Sequence, residues 1–186
     1  MSLLKICYTG QYHFRALLTT GEFKHEKLRN IQSFYGKALV DTYNYEKKIH
    51  CTGLFIDNKL SSYSKFFKTM KYDMSYDYVY LNQNLDDIYE CFQRPKTEHS
   101  DVALQGMENL YAYDFLYLKN IYDGMTNTDF SGSVRSKYVN TWHMFTLKYG
   151  QLLNVLQRNN FNPESIIDID WSESLSRIDS GLGFHG

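Results

Sequence analysis

The first ninety residues alternate between short apolar segments and longer amphipathic ones, a pattern typical of strands and helices in turn. The short segments are rich in aromatic and β-compatible residues, and turn or polar residues bound them, so they predict strands. The predicted strands are 12–20, 51–57 and 76–81. After the first of these, a lysine-rich passage at 24–32 has no hydrophobic periodicity and predicts a loop or a hairpin with an irregular tip.

The amphipathic segments predict three helices that alternate with these strands. They are 36–49, 58–70 and 84–93. Leu39 and Tyr43 share one side of the first helix. Asp57 directly precedes the second helix, where it can act as the capping residue. The alternation indicates an α/β or α+β layer with helices on one face of a sheet.

The pattern changes after Pro95, because no strand-like segment follows until the end of a second long helix. Apolar residues instead recur three or four positions apart at 100–122 and again at 133–158. The polar turn segment 123–133 joins these stretches, so we expect a helical hairpin. The last segment, 159–186, has weak periodicity and predicts a loosely packed polar tail.

Composition narrows the class of protein further. The chain has 186 residues, a formal net charge of −1, 17% aromatic residues and two prolines, which excludes a disordered or collagen-like chain. A charge so close to zero removes the simplest case for a protein that binds polyphosphates. Three scattered cysteines without a CxxC motif argue against a disulfide framework or a zinc ribbon, and they indicate a reducing compartment.

The sequence also lacks the signals that direct a chain to a membrane. No apolar run approaches the roughly 18 residues that a membrane-spanning helix needs. The apolar stretch at the amino terminus is too short and too interrupted for a signal peptide. We therefore expect a soluble cytoplasmic protein with neither a membrane nor a nucleic acid as its partner.

Short motifs for P-loops, dinucleotide binding, zinc proteases and serine hydrolases are absent from the sequence. His50 and Cys51 are adjacent, but neighbouring residues on a strand point to opposite faces, so a buried structural cysteine is favoured over a nucleophile. Three tyrosines on one face of a strand could stack on bases, although packing under a helix is favoured because no basic surplus lies nearby. They are Tyr76, Tyr78 and Tyr80.

Metal binding has little support in the sequence. The acidic stretch 168–179 has the oxygen spacing of a calcium loop, but Glu173 replaces its glycine and Asp179 its final glutamate, which favours a solvated polar segment. The six histidines are dispersed, and none are spaced three or four apart. We therefore assign no metal ligands.

Two linked segments carry a more specific signal. The first, Phe14 to Phe23, reads FRALLTTGEF, and the second, Phe34 to Lys47, reads FYGKALVDTYNYEK. Together they resemble the class III nucleotide cyclase homology domain, and more narrowly its short bacterial members, which include pyrimidine cyclases of antiphage defence. Those proteins carry an R-G/A-x-I/L-x-x-G-E strand followed by an aromatic–Gly–x–Ala–Leu helix that ends in a glutamate. The similarity covers about residues 10–82.

The resemblance implies a fold class and a division into domains. The fold is expected to be α+β, with a partial ferredoxin-like, cyclase-type sheet that has helices on one face and is followed by a long C-terminal helical hairpin. The expected parts are a partial cyclase-like domain at 1–94, the helical hairpin at 95–158 and a polar tail at 159–186.

In this family two aspartates hold two metal ions, which activate the ribose 3′-hydroxyl and neutralise the triphosphate. They lie in the first strand and in the hairpin that precede the R-G/A strand. The few residues before Tyr12 contain no acidic side chain, so we expect the metal-binding half to be missing. No cofactor is expected, and magnesium or manganese would bind only if that half is present.

Two family positions on the later helix are altered as well. Many class III cyclases place there an asparagine and, four residues on, an arginine, which project from one helix face. Alignment on Gly36 puts Val40 and Asn44 at these positions. Valine cannot form a hydrogen bond, and a neutral asparagine cannot stabilise phosphate charge as arginine does. The short bacterial members vary here, so the substitutions alone do not exclude activity.

The resemblance implies a nucleotide-binding set that consists of Arg15, Ser33, Phe34, Lys37 and Asn44. Arg15 would lie near a phosphate, Ser33 and Phe34 near the base, and Lys37 near the triphosphate. A structural interpretation stands beside the functional one for two of them. Arg15 can hold the sheet edge through an ion pair, and a lysine in the first turn of a helix is usually solvated.

Three functions follow from these observations. The first is a cyclase-homology-like protein that binds a nucleoside triphosphate or a partner but does not catalyse alone. The second is an active nucleotide cyclase, a phosphorus–oxygen lyase of signalling or antiviral defence, whose metal-binding half comes from a complementary chain or was lost from the sequence. The third is a structural or interaction protein that acts through the helical hairpin, whose apolar stripes favour a homodimer unless they bury each other.

Overall fold

The structure, a computed structural model, describes residues 14–62, 67–94, 106 and 108–179. The chain forms two compact units, one that ends at Leu81 and one that follows from Asn82. The first is called the sheet unit here and the second the helical unit. Within the described segments, no helix is both long and apolar enough to cross a bilayer.

The sheet unit contains a mixed four-stranded sheet and a separate hairpin. Its strands are β1 (Arg15–Leu18), β2 (Lys24–Leu28), β3 (Ile31–Tyr35), β4 (Gly53–Asp57), β5 (Thr69–Lys71) and β6 (Tyr76–Val79), and its helices are α1 (Lys37–Glu46) and α2 (Asn58–Ser61). The sheet order is β1-β4-β6-β5, while β2 and β3 pair only with each other. β1 and β4 run parallel. A parallel pair requires a long crossover connection, and here that connection includes α1.

The sheet buries apolar residues from its two central strands. Phe55 and Tyr78 are fully buried, and their rings meet edge to face with centroids 5.5 Å apart. Gly53 opens β4 with a φ of +123°, and a Cβ at this position would lie 2.8 Å from the Tyr78 ring. Glycine is therefore needed both for the backbone conformation and for the close approach of the tyrosine.

The helical unit consists of an antiparallel helical hairpin with shorter elements packed around it. Its helices are α3 (Leu85–Gln93), α4 (Glu108–Thr126), α5 (Gly132–Arg158) and α6 (Ser172–Asp179), with a 3₁₀ turn at Pro163–Ser165. The facing apolar side chains of α4 and α5 are buried. They include Tyr111, Phe115, Leu118 and Ile121 of α4 and Trp142, Phe145, Leu152 and Leu156 of α5. The predicted α+β fold with a long C-terminal helical hairpin is confirmed.

Two predicted boundaries in the sheet unit need correction or refinement. The helix predicted at 58–70 ends at Ser61, and residues 69–71 form β5 instead. Hydrogen bonding to β6, which pairs Thr69 with Val79, decides the strand conformation, and a local apolar pattern cannot report that pairing. The passage at 24–32 is a hairpin, whose turn includes Arg29 at a φ of +52°.

Boundaries in the helical unit also differ from the prediction. α3 was predicted as part of a first domain that ends at residue 94, but it belongs to the helical unit. α4 continues to Thr126, four residues into the predicted turn segment. Ser131 then caps α5, because its side-chain oxygen accepts a hydrogen bond from the Val134 amide. The predicted helix start at Ser100 lies outside the described residues.

The segment that was predicted as a loosely packed tail carries buried side chains up to α6. Trp171 is fully buried, donates its indole N–H to the Ile167 carbonyl over 3.1 Å and meets Phe115 edge to face. The weak apolar periodicity of this segment does not report the burial of Trp171, which depends on contacts with the helical hairpin. Residues 180–186 lie outside the described part of the chain.

The conformation of residues 168–179 also excludes the interpretation of this segment as a calcium loop. Its second half is helix α6. Asp170 accepts a hydrogen bond from the Ser172 amide over 2.9 Å at the start of that helix, and hydrogen bonding to the Ser172 side chain and amide lowers the pKa of Asp170. An oxygen used in this way belongs to a helix start, whereas a calcium loop would wrap an ion with non-helical backbone.

The three tyrosines considered as a platform for bases are buried. Tyr76 is 6% exposed, and Tyr78 and Tyr80 are at most 1% exposed. Tyr76 stacks on Tyr45 of α1 with centroids 4.1 Å apart. Their rings therefore serve the core, as the structural interpretation expects.

Candidate functional site

The two sequence segments that carry the cyclase resemblance interlock through their small residues. The Ala38 amide donates a hydrogen bond to the Glu22 carbonyl over 3.1 Å, which joins the start of α1 to the end of the first segment. A Cβ at Gly36 would lie 2.3 Å from that carbonyl, and one at Gly21 would lie 3.0 Å from the Ala38 side chain. Gly36 also has a φ of +140°, which favours glycine. The spacing of these residues therefore has a backbone-packing cause.

A second connection between the same segments is the Arg15–Glu46 ion pair. Arg15 of β1 binds the carboxylate of Glu46, the last residue of α1, and also donates a hydrogen bond to the Ile49 carbonyl. Both side chains are partly screened from water, with 21% and 34% of their side-chain surface exposed. The structural role considered for Arg15 is thus present. Its contact with a phosphate stays a prediction.

The other predicted nucleotide-binding residues of α1 lie on its exposed surface. Lys37, in the first turn, pairs with Asp41 one turn later. Asn44 is exposed, and Val40 has 56% of its surface exposed. Lys37 and Glu46 are at opposite ends of the helix, about 13 Å apart along its axis. Arg15 at one end and Lys37 at the other are therefore not gathered around one phosphate group.

Ser33 and Phe34 lie on β3 of the hairpin. The Phe34 ring is half exposed and stacks on His25 with centroids 4.5 Å apart. Phe23, 55% exposed, lies beyond it at a centroid distance of 6.1 Å. These exposed, stacked rings can stack on the aromatic ring of a ligand or pack against the apolar surface of a partner.

A polar cavity of about 430 Å³ lies at the edge of the sheet where β1 and β4 end. Because these strands are parallel, their carboxyl ends meet at one edge, which is where open α/β sheets usually bind ligands. α1 and the start of β6 complete the walls. The lining residues are Thr19, Thr20, Asp41, Tyr45, Asp57, Asn58, Lys59, Met74, Ser75 and Tyr76.

Local hydrogen bonds fix the walls of this polar cavity. Asp57 caps α2 by accepting from the Lys59 amide over 2.9 Å. The Asn58 amide and side chain donate to the carbonyls of Ser75 and Met74, over 2.9 and 3.0 Å. These bonds hold the end of β4 against the turn before β6. The lining thus presents two carboxylates, three side-chain hydroxyls of threonine and serine, one ammonium group and the stacked pair of tyrosines.

A shallower, more apolar hollow lies beside the polar cavity and shares Thr19 and Thr20 with it. Its remaining walls are Gly21, Phe23, Ala38, Leu39 and Thr42. It continues into a surface of exposed apolar side chains on the hairpin and α1, which we call the hairpin surface. The hairpin surface consists of Phe23, Ile31, Phe34, Leu39, Val40 and Tyr43, each at least 43% exposed.

The cysteine considered as a nucleophile is buried in the sheet unit. Cys51 is 3% exposed, and burial raises the pKa of its thiol to about 11. A thiol that remains protonated at neutral pH is a poor nucleophile, which agrees with the structural interpretation. Within the described residues, no group of three or more His, Cys, Asp or Glu side chains is arranged to hold a metal ion.

The polar cavity was not anticipated as a site. Its walls come from four separate stretches of the chain, and no short motif unites them. One signal was available, since Thr19–Thr20 and Asp57 end two of the predicted strands and Asn58 follows the second directly. Polar residues in that position mark the ligand-binding edge if the strands are parallel, but the alternation of elements left their relative direction open.

Comparisons with known proteins add no relative, because no family model, curated protein or solved structure matches this chain. The cyclase resemblance therefore rests on the two motifs and on the interpretation of their residues.

Proposed function

We propose that the sheet unit is a cyclase-homology-like module that binds a nucleoside triphosphate, and that this chain does not catalyse cyclisation alone. The single observation that supports binding most directly is the polar cavity at the carboxyl edge of β1 and β4. Its volume of about 430 Å³ is within the range of small-molecule sites. Four of its ten lining residues, Thr19, Thr20, Asp41 and Tyr45, belong to the two segments that carry the family motifs.

The chemistry of the walls favours the hydroxyl-bearing part of a nucleotide inside the cavity. Carboxylates such as Asp41 and Asp57 accept hydrogen bonds from sugar hydroxyls, and they repel phosphates. Lys59 supplies one positive charge among the lining residues. In this arrangement the ribose enters between the carboxylates, and the phosphates extend towards lysine and solvent.

The proposal that the chain does not act alone rests on α1. At the positions where many cyclases hold an asparagine and an arginine, Val40 and Asn44 provide no positive charge and only one hydrogen-bonding group. Stabilisation of the charge that develops on a transferring phosphoryl group is usually the largest contribution to such catalysis. Arg15 does not replace the missing arginine while its guanidinium binds Glu46.

Calorimetric titration of the full chain with ATP, GTP, CTP and UTP in the presence of Mn²⁺ tests binding. We expect heat with at least one of them. Asp57→Asn should weaken that affinity about tenfold or more, because it removes a charged acceptor while keeping a residue that caps α2 equally well. Asp129→Asn, an exposed change in the helical unit, is the matched control and should leave the affinity unchanged.

Two results would contradict this proposal. Absence of heat with all four triphosphates would show that the chain does not bind a nucleotide. An equal loss of affinity in both variants would show that the nucleotide does not bind in the polar cavity. Chromatography of the same mixtures tests the second half of the proposal. A cyclic nucleotide formed by this chain alone would favour the active cyclase instead.

A second candidate function is binding of a protein partner, with a second copy of the chain as the simplest one. The hairpin surface supports it, because six large apolar side chains are exposed on neighbouring elements of one unit. The helical hairpin no longer motivates a homodimer in the same way, since its two stripes bury each other. Light scattering at increasing concentration tests the dimer, and a constant monomer mass would contradict it.

A further inference from the structure

A carboxyl group lies in the core of the helical unit, where no proposed function uses it. Asp114 of α4 is 1% exposed, and its helical neighbours Tyr111, Phe115 and Leu118 are core residues. Aspartate is almost never buried to this degree unless it is paired, because removal of its charge from water is very costly. The groups around the Asp114 carboxyl group therefore determine which of its two protonation states the core can accommodate.

Two asparagines that immediately precede α3 provide hydrogen bonds to Asp114. The Asn84 side chain donates to Asp114 Oδ2 over 2.9 Å. The Asn82 side chain donates to the main-chain carbonyl of Asp114 over 3.4 Å. Asn84 is the residue before the first turn of α3, and its side chain makes no capping hydrogen bond there. It is used instead to attach the beginning of α3 to α4.

The cluster formed by Asn82, Asn84 and Asp114 has more acceptors than donors. Asp114 Oδ1 and Asn82 Oδ1 are both buried and have no hydrogen-bond partner among the described residues. An ionised aspartate only accepts hydrogen bonds, so it leaves both oxygens unsatisfied. A protonated aspartate supplies one O–H donor, which is what the cluster lacks. Each buried acceptor left without a donor costs about 1–3 kcal/mol.

The surrounding charges do not compensate a carboxylate at this position. The pKa of Asp114 is raised to about 7, chiefly because the group is buried; hydrogen bonds from the Asn84 and Asn82 side chains act to lower it, and the negative charge of Asp87 acts to raise it. Tyr111 on the same helix is uncharged at neutral pH, since burial raises its pKa as well.

Two cations on the packed elements are engaged elsewhere. Lys148 of α5 binds Asp86 over 2.7 Å, and Arg177 of α6 binds Glu173. The Tyr149 hydroxyl also donates to Asp86, over 2.6 Å. Asp86 therefore has both a cation and a hydrogen-bond donor, whereas the hydrogen bonds that Asp114 accepts from described side chains come from the two asparagine amides.

We propose that Asp114 is a proton-dependent tie between α4 and the start of α3. In its neutral form it donates a hydrogen bond within the cluster of Asn82, Asn84 and Asp114 and holds residues 82–84 against α4. When it ionises, the cluster loses that donor and gains a buried charge, so the attachment weakens. The affected residues directly follow Leu81, where the sheet unit ends.

The direction of the pH dependence follows from the pKa of Asp114, which is higher in the folded protein than the value of about 4 in the unfolded chain. Between these two values the folded state holds a proton that the unfolded state has released. Stability therefore falls as the pH rises from about 4 to about 7, and it levels off above that range. The contribution of Asp114 changes the unfolding equilibrium by up to about tenfold per pH unit.

Chemical denaturation of the full chain and of Asp114→Asn, from about pH 5 to about pH 8, tests this dependence. The amide of asparagine supplies a permanent donor without a titrating charge. We expect the difference in unfolding constant between the two proteins to shift in favour of the variant as the pH rises. Asp123→Asn, on the exposed side of the same helix, is the control and should show no such shift. A constant difference for Asp114→Asn would overturn the proposal.

Two measurements on the unsubstituted protein keep the test valid if the variant fails to fold. Carboxyl ¹³C resonances of the full chain should include an aspartate that titrates near pH 7, and a folded chain whose aspartates all titrate below about pH 5 would overturn the proposal.

Hydrogen exchange at Leu85 and Ile88 reports the local attachment, because their amides bond to the carbonyls of Asn82 and Asn84. Their protection should decrease as the carboxyl group ionises. Protection that is unchanged across the titration would exclude a tie.

Discussion

The two units differ in how they treat the apolar faces of their helices. In the helical unit, α4 and α5 bury their stripes, and nine residues of α5 are buried. In the sheet unit, α1 has no buried residue, and its Leu39, Val40 and Tyr43 are exposed. Both sets have helical spacing, so spacing alone does not report burial. The difference indicates that α4 and α5 stabilise the fold, whereas the outer face of α1 is available for binding.

Substitution within the helical core should have the largest effect. Phe145→Ala removes a fully buried ring from α5 and should lower the free energy of unfolding by about 3–5 kcal/mol. Urea denaturation followed by circular dichroism measures the change. Leu147→Ala, two residues further along on the opposite face, where 63% of the residue is exposed, is the control. Equal effects of the two changes would contradict the assignment of buried and exposed faces.

The next largest effect is expected where the two motif segments interlock. Gly36→Ala places a Cβ against the Glu22 carbonyl at a φ of +140°, so it should destabilise the protein by about 1–3 kcal/mol. Gly132→Ala at the start of α5 meets nothing within 4 Å and should change stability by less than about 0.5 kcal/mol. If the two substitutions change stability equally, the packing of the two motif segments does not require a glycine at position 36.

A smaller effect is expected for the ion pair that joins β1 to α1. A double-mutant cycle with Arg15→Met and Glu46→Gln should give a coupling energy of about 1 kcal/mol, because the pair is partly exposed and hydrogen bonded. Thermal or urea unfolding of the four proteins provides it. A coupling near zero would return Arg15 to the set of residues available for a phosphate.

The smallest effect on stability is expected on the hairpin surface. Tyr43→Ser should change the free energy of unfolding by less than about 0.5 kcal/mol, because the ring is 61% exposed. If a second copy binds there, the same substitution should reduce the dimer fraction in light scattering. A marked loss of stability in the monomer would show that the ring packs within the unit after all.

Much of the fold was accessible from the sequence, and the exceptions have physical causes. The long helices were predicted because their apolar residues follow one period over many turns. β5 was missed because three residues carry too little local signal and its conformation depends on pairing with β6. The burial of Trp171 was missed because the few apolar residues around it gave too weak a period to predict packing against the hairpin.

The candidate site also has one part that could be predicted from the sequence and one part that could not. Arg15 and the glutamate that ends the helix were recognisable because each is a position in a motif, and an ion pair of Arg15 was one of its two interpretations, although the structure alone identifies Glu46 as the partner. The polar cavity was not recognisable, because Asp41, Asp57 and Ser75 come from distant segments that only the parallel pairing of β1 and β4 brings to one edge.

By itself, the order of residues determined the two motif segments, the alternation of elements and the two long helices, since each depends on neighbours within a few turns of the chain. The folded structure alone decided which apolar faces are covered, where polar residues converge and which carboxyl group is deprived of water. Those properties depend on what lies across a strand or helix, and distance in space is not a property of a local pattern. Asp114 illustrates this, because it is one of many aspartates in the sequence and becomes distinctive only when the folded helical unit buries it.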